Sequence, residues 1–212
     1  MFRRFAPLAL LILPLAPAYA QPATPPAAEA APAATPNPAT VRVSLETSLG
    51  PIVLELEKER APVTTANFLR YVDEKRFDGI AFYRATKIGE GYGLIQGGAK
   101  GDAARVLPPI AHEPTSKTGL SHVDGAISMA RYAPGTADAD FFITIGDLES
   151  MDADPAQPGD NQGFAVFGRV VEGMDVVRRI LAAPTSPTDG EGVMKGQMLA
   201  SPVVITAARR VE

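Results

Sequence analysis

The stretch VRVSLETSLGPIVLELE, residues 41–57, decides the fold class. Val41, Val43 and Leu45 alternate with polar residues; after Ser48-Leu49-Gly50-Pro51 a second run sets Ile52, Leu54 and Leu56 opposite Glu55 and Glu57. A period of two, broken by a Gly-Pro turn signal, predicts a β-hairpin with one buried face. Pro62 suits the first turn of a helix, and Ala66, Leu69 and Val72, with Phe68 beside them, form an apolar stripe running to Glu74. After Gly79 come short apolar segments, Ile80–Tyr83, Leu94–Ile95, Ala126–Met129, Phe141–Ile145 and Ala165–Phe167, separated by Gly, Pro and Asp loops. Met174, Val177 and Ile180–Leu181 mark a second helix, and Val203–Ile205 a last strand. This spacing favours an antiparallel barrel or sandwich over alternating βαβ units, with two helices closing its open ends.

The chain has 212 residues, 46% of them apolar and 21% charged, which at roughly 150 residues per domain is one globular domain with trimmings. The trimmings lie at the start. Arg3 and Arg4, the apolar run Leu8–Leu15 and Ala18-Tyr19-Ala20 before Gln21 have the three-part form of a secretory signal over residues 1–20, with an apolar run too short to span a bilayer. Removing those two arginines takes the net charge from −4 to −6. Residues 21–40 hold eight Ala and six Pro, a composition for a tether or plain spacer. The folded domain is therefore expected over 41–212, in the periplasm, as a monomer with no stable membrane insertion.

Composition also removes chemistry. The absence of Cys excludes disulfide scaffolds, thiolate metal sites and cysteine nucleophiles. An acidic balance gives no reason to expect nucleic acid as partner. Gly89-Glu90-Gly91-Tyr92-Gly93 with Gly97-Gly98 suggests a phosphate loop, but Gln96 stands where a third Gly is needed and no Lys-Ser/Thr follows. Asp147, Glu149, Asp152, Asp154 and Asp160 lack the Gly and terminal Glu of a calcium loop and read as a solvated acidic segment. No G-x-S-x-G elbow accompanies His112 or His122, both read as surface or hydrogen-bonding histidines in loops. No metal or other cofactor is expected.

The specific signal is a series of segments in order: Ala61-Pro62 with Asn67-Phe68, Phe82-Tyr83-Arg84, Ile95-Gln96-Gly97-Gly98, Ser128-Met129-Ala130-Arg131, Asp140-Phe141-Phe142-Ile143, Val166-Phe167-Gly168-Arg169-Val170 and Glu172-Gly173-Met174-Asp175. In this order they resemble the cyclophilin peptidyl-prolyl cis-trans isomerases, particularly the exported bacterial branch. The resemblance implies a closed eight-stranded antiparallel barrel capped by two α-helices. It also implies cofactor-free isomerisation of X-Pro bonds in unfolded or partly folded exported proteins. A proline-peptide-binding or chaperone-like module on the same fold is the alternative.

By the same resemblance Arg84 is the catalytic donor, Gln96 its support and Phe142 the surface on which proline packs. Leu94, Ala130, Arg131, Met151 and Phe164 fall at substrate-binding positions, with Arg131 acting through its main chain. Departures are informative. Arg84 and Gln96 lie twelve positions apart, about four more than the family pattern, so Lys87–Gly93 carries an insertion and Tyr92 is the nearest stand-in for a pocket Phe. Asp140 replaces a Gln that ordinarily bonds the substrate backbone, and its carboxylate is expected to pair with Arg84, orienting the donor or competing with substrate. Ser150 stands where cyclosporin-sensitive members carry Trp.

Overall fold

The computed structural model describes residues 39–156 and 159–211. The expected signal, and the expected linker up to 38, lie outside the described residues. β1 (Thr40–Thr47) begins with the last residue assigned to the linker and pairs with β2 (Gly50–Glu57) through a two-residue turn, Ser48-Leu49. Val43 faces Leu54 and Leu45 faces Ile52, all four fully buried, so the alternation read in the sequence is the inner face of this hairpin.

β3 (Ala81–Gly89), β4 (Tyr92–Gly98), β5 (Ala126–Met129), β6 (Phe141–Ile145), β7 (Ala165–Glu172) and β8 (Met198–Val211) complete the set. The eight strands close in the order β1-β2-β7-β5-β6-β4-β3-β8, every neighbour antiparallel. The Lys87–Gly93 insertion is no separate loop; it lengthens the β3–β4 hairpin, with Gly89 opposite Tyr92 across Glu90-Gly91. β8 is 14 residues long, far more than Val203–Ile205, because its pairing with β1 continues through Arg209 and Arg210. Those charges disguise the strand in sequence, and each is paired with an aspartate, Asp78 and Asp73.

Among the described residues three α-helices accompany the barrel, one more than expected: α1 (Pro62–Asp73), α2 (Thr115–Thr118) and α3 (Met174–Ala182). α2 is a single turn, too short to show a period, ended by Gly119 at φ +68°. α3 buries Val176, Val177, Ile180 and Leu181 against the barrel. α1 is rotated from the expected stripe: Ala66 is exposed, whereas Thr64 and Thr65 are buried beside Phe68, Leu69, Tyr71 and Val72. The core centres on Phe68, whose ring lies 4.9, 5.3 and 5.2 Å from Phe77, Phe141 and Phe167.

The α1 N-terminus carries no capping side chain of its own. Pro62 has no N–H to satisfy, and the next two donors go to a distant carboxylate: Val63 N to Glu113 Oε1 at 3.3 Å and Thr64 N to Glu113 Oε2 at 2.8 Å. Thr64 Oγ1 donates to the same oxygen at 2.8 Å, and Glu113 is 1% exposed. Removing it strands buried donors and an uncompensated helix terminus. Glu113→Ala is expected to lower the unfolding free energy by about 2 kcal/mol in urea titration, with an unchanged m-value.

Candidate active site

Cross-strand register builds the site. Arg84 on β3 is opposite Gln96 on β4, Gln96 is opposite Phe142 on β6, and Phe142 is opposite Ser128 on β5. Ile95, Phe141 and Ile143, one position along, belong to the main core, while Leu94 and Phe142 form a separate cluster with Leu148. Pleating therefore sets Arg84, Gln96 and Phe142 side by side on the outer wall. They line a cavity of about 410 Å³ together with Leu94, Ala130, Arg131, Asp140, Met151 and Phe164. Tyr132, Thr136, Asp138, Val193 and Met194 complete it.

The apolar floor is supported from below. Phe164 meets Phe142 edge-on, centroids 5.5 Å apart, and the Arg131 guanidinium lies 5.1 Å over Phe164. The Arg131 side chain is spent on this support: Nε donates to Gly163 O at 2.9 Å, and Nη1 pairs with Asp160 at 2.7 Å, holding that carboxyl down at about 2. Behind Phe142, the His122 ring stacks nearly parallel at 5.7 Å, with Nδ1 2.5 Å from Asp152 and Nε2 3.0 Å from Ser128 Oγ. This has the connectivity of a Ser-His-Asp triad. Ser128 and His122 are fully buried, however, so no substrate carbonyl reaches Oγ; of the two readings open to it, His122 is the hydrogen-bonding loop histidine rather than the surface one.

Arg84 is held by neutral oxygens. Nη1 donates to Gln96 Oε1 at 2.8 Å, while Nε and Nη2 donate to Gln197 Oε1 at 2.9 and 2.6 Å. Of the five guanidinium donors, one on each terminal nitrogen is left. Among the described residues every other arginine pairs with a carboxylate; Arg84 does not. Burial pulls its pKa down from the ordinary value, yet an arginine stays charged. Nothing in the sequence signals Gln197 as a partner of Arg84, from which it lies 113 positions away. Thr86 Oγ1 also donates to Gln197 Oε1, and Gln197 Nε2 donates to Val193 O, both at 2.8 Å.

Comparison with known proteins agrees with this geometry. A family model described as cyclophilin type peptidyl-prolyl cis-trans isomerase/CLD matches residues 42–209. The chain belongs to this family. A peptidyl-prolyl cis-trans isomerase of Acinetobacter baylyi is 35% identical over 156 residues, covering 70% of this chain and 76% of that one. One from Streptomyces antibioticus is 37% identical over 171 residues, covering 79% and 96%. In fold, a crystal structure of a Cryptosporidium parvum cyclophilin type isomerase, determined in the presence of the dipeptide Ala-Pro, has a TM-score of 0.65 at 20% identity, covering 81% of this chain and 99% of that one.

Within the cyclophilin frame two expectations change. Tyr92 is not in the cavity wall; its hydroxyl donates to Asp147 O at 2.7 Å and its ring packs at Gly146, backing the Leu94 and Phe142 cluster. The lengthened hairpin carries it past the pocket. Asp140 lines the cavity but makes no ion pair with Arg84: its oxygens accept from Lys100 N and Tyr83 Oη, both at 2.9 Å. Ser150 is exposed in a 3-10 turn, Glu149–Met151, directly before the pocket residue Met151.

Two expected outcomes follow from the supports. Gln197→Leu removes two of the three hydrogen bonds that clamp Arg84 and should lower kcat/KM for a proline peptide about tenfold in an isomerisation assay. Burial lowers the His122 pKa despite the opposing pull of Asp152. The unfolded chain then takes up this proton near pH 6.5 while the folded one resists it, so stability is full above that value and lost as pH falls toward the folded-state pKa. Thermal unfolding from pH 8 to 5 should show this decline, flattened in His122→Gln.

Proposed function

We propose that this cyclophilin domain accelerates X-Pro isomerisation in exported polypeptides, with Arg84 as the catalytic group. The observation that carries the proposal is a guanidinium fixed by two neutral amides, with two donors unspent, at the wall of an apolar cavity. The partial double bond of the peptide C–N sets a barrier of about 18–20 kcal/mol. A proline ring against Phe142, Met151, Leu94 and Phe164 brings the prolyl nitrogen beside Arg84. Donation to that nitrogen localises its lone pair, which conjugation withholds in the planar ground state and releases in the twisted one. The interaction therefore strengthens toward the transition state, as catalysis requires. No carboxylate neutralises Arg84, so its charge is directed at substrate. No bond is made or broken, and no cofactor is needed.

Support for Arg84 comes from Gln96 and Gln197. Ala130 and the Arg131 main chain lie along the path of the bound peptide, and the exposed side chains of Tyr132 and Val193 offer apolar grip at its rim. Export rests on Arg3, Arg4, Leu8–Leu15 and Ala18-Tyr19-Ala20, which read as a signal cleaved before Gln21, placing a monomeric domain in the periplasm with residues 21–40 as its spacer. N-terminal sequencing of protein from the periplasmic fraction tests this: a first residue other than Gln21 counts against the assigned cleavage site, and recovery only from the cytoplasm against export itself.

Purified residues 21–212 should accelerate the proline-limited refolding of a test protein above its uncatalysed phase of roughly tens to hundreds of seconds. Arg84→Ala should reduce kcat/KM by about 10²–10³ while peptide affinity stays within a few-fold. Full folding assistance by Arg84→Ala would favour a peptide-binding, non-catalytic role. With Ser150 in place of the Trp of drug-sensitive members, cyclosporin should inhibit weakly, because a lost interfacial indole costs several kcal/mol, on the order of 2–4. Ser150→Trp should tighten inhibition measurably.

A further inference from the structure

We infer that Tyr83 and Asp140 are positioning residues that set the amide of Gln96, and through it the donor geometry of Arg84; the inference rests on the isomerase reading. The four side chains form one line. Arg84 Nη1 donates to Gln96 Oε1 at 2.8 Å, Gln96 Nε2 donates to Tyr83 Oη at 2.8 Å, and Tyr83 Oη donates to Asp140 Oδ2 at 2.9 Å. Lys100 N closes the line on Asp140 Oδ1 at 2.9 Å.

Proton inventory fixes the direction of every bond. Arginine has no acceptor, an ionised carboxylate has no donor, and a phenol has one proton. Tyr83 gives that proton to Asp140, so it must accept from Gln96. Gln96 must then turn its NH₂ to Tyr83 and its carbonyl to Arg84. An amide free to flip would offer Arg84 a donor facing a donor.

The backbone is built for this arrangement. In a regular strand Tyr83 and Arg84 would point to opposite faces. β3 instead shifts register between Phe82 and Arg84 against both β4 and β8: Phe82 faces Gly97 and Arg84 faces Gln96, leaving Tyr83 as the extra residue of a bulge. Two successive side chains thereby reach one glutamine. Gly98, at φ +146°, makes room at the other end, since a Cβ there would lie 2.0 Å from Asp140 Oδ1. Lys100 Nζ sits 5.4 Å from the Tyr83 ring centroid and steadies it. Burial and the adjacent carboxylate push the Tyr83 pKa well above its ordinary value, so the phenol keeps its proton.

Asp140→Asn tests the direction of the line. Lys100 N holds the remaining oxygen, so the new NH₂ faces Tyr83, whose proton then turns to Gln96 and drives the unfavourable flip. Asp140→Asn and Tyr83→Phe should each lower kcat about tenfold on a proline peptide, with KM within twofold, and the double variant should be no slower than either single one. Additive losses, effects confined to KM, or wild-type kcat in Tyr83→Phe would overturn the inference and leave Asp140 acting on substrate directly. Should Asp140→Asn fail to fold, Asp140→Ser replaces it in the cycle. ¹⁵N relaxation of the Gln96 side-chain amide, which donates to Tyr83, gives a reading independent of turnover: its order should fall in both single variants, and unchanged order would count against the line. If the unmodified protein has no isomerase activity, the functional reading fails, and the positioning role is decided by that order alone.

Discussion

Antiparallel closure through β1, hydrogen-bonded to β2 on one side and β8 on the other, is the constraint on which the molecule depends. It joins residues 40–57 to residues 198–211 and leaves no open sheet edge at that seam. It also fills the barrel interior with side chains, so chemistry is confined to the outer wall. Strand register then does the placing: Arg84, Gln96 and Phe142 are neighbours because β3, β4 and β6 are adjacent and in step. A shift of one residue in any of these pairings would send the functional side chain into the core and a core aromatic to the surface.

Charge is handled differently at the surface and at the site. Arg209 and Arg210 form ion pairs with Asp78 and Asp73 near α1, each partly exposed. Pairs of this kind contribute about 0–1 kcal/mol and leave little net field. Arg84 is half-buried and receives amide oxygens instead, which satisfy hydrogen bonds without cancelling charge. A carboxylate in the place of Gln96 would hold the guanidinium more tightly and make it a weaker partner for a developing lone pair.

Much of this was legible in the sequence, for identifiable reasons. The 41–57 hairpin and its buried face could be read because one side is wet and the other dry, whereas its register could not: Gly50 and Pro51, read as part of the turn, are already paired in β2. Nine of the ten named site residues line one cavity because short segments in a fixed order fix their strands. Other features left no local trace. Gln197 acts across 113 positions from a segment without periodicity. Ala66 attracted the apolar stripe, yet Thr64 and Thr65 are buried because Glu113 and Glu57 O satisfy their hydroxyls. The β8 strand hid behind arginines whose aspartate partners are far away in sequence. Tyr83 stood in a recognisable triplet with no assigned task, since a bulge cannot be read from composition.

The hydrogen bonds around Arg84 have a mechanical consequence. From Val193 O through Gln197, Arg84, Gln96, Tyr83 and Asp140 to Lys100 N they form one unbroken thread, which enters the cavity wall at Val193, Arg84, Gln96 and Asp140 and leaves the facing residues Ala130, Met151 and Phe164 out of it. Side chains stitched in this way resist displacement together, since moving any one of them breaks a bond to the next. The Arg84 side of the groove is thus braced as one piece, less a set of fingers than a single jaw against which a guest can turn.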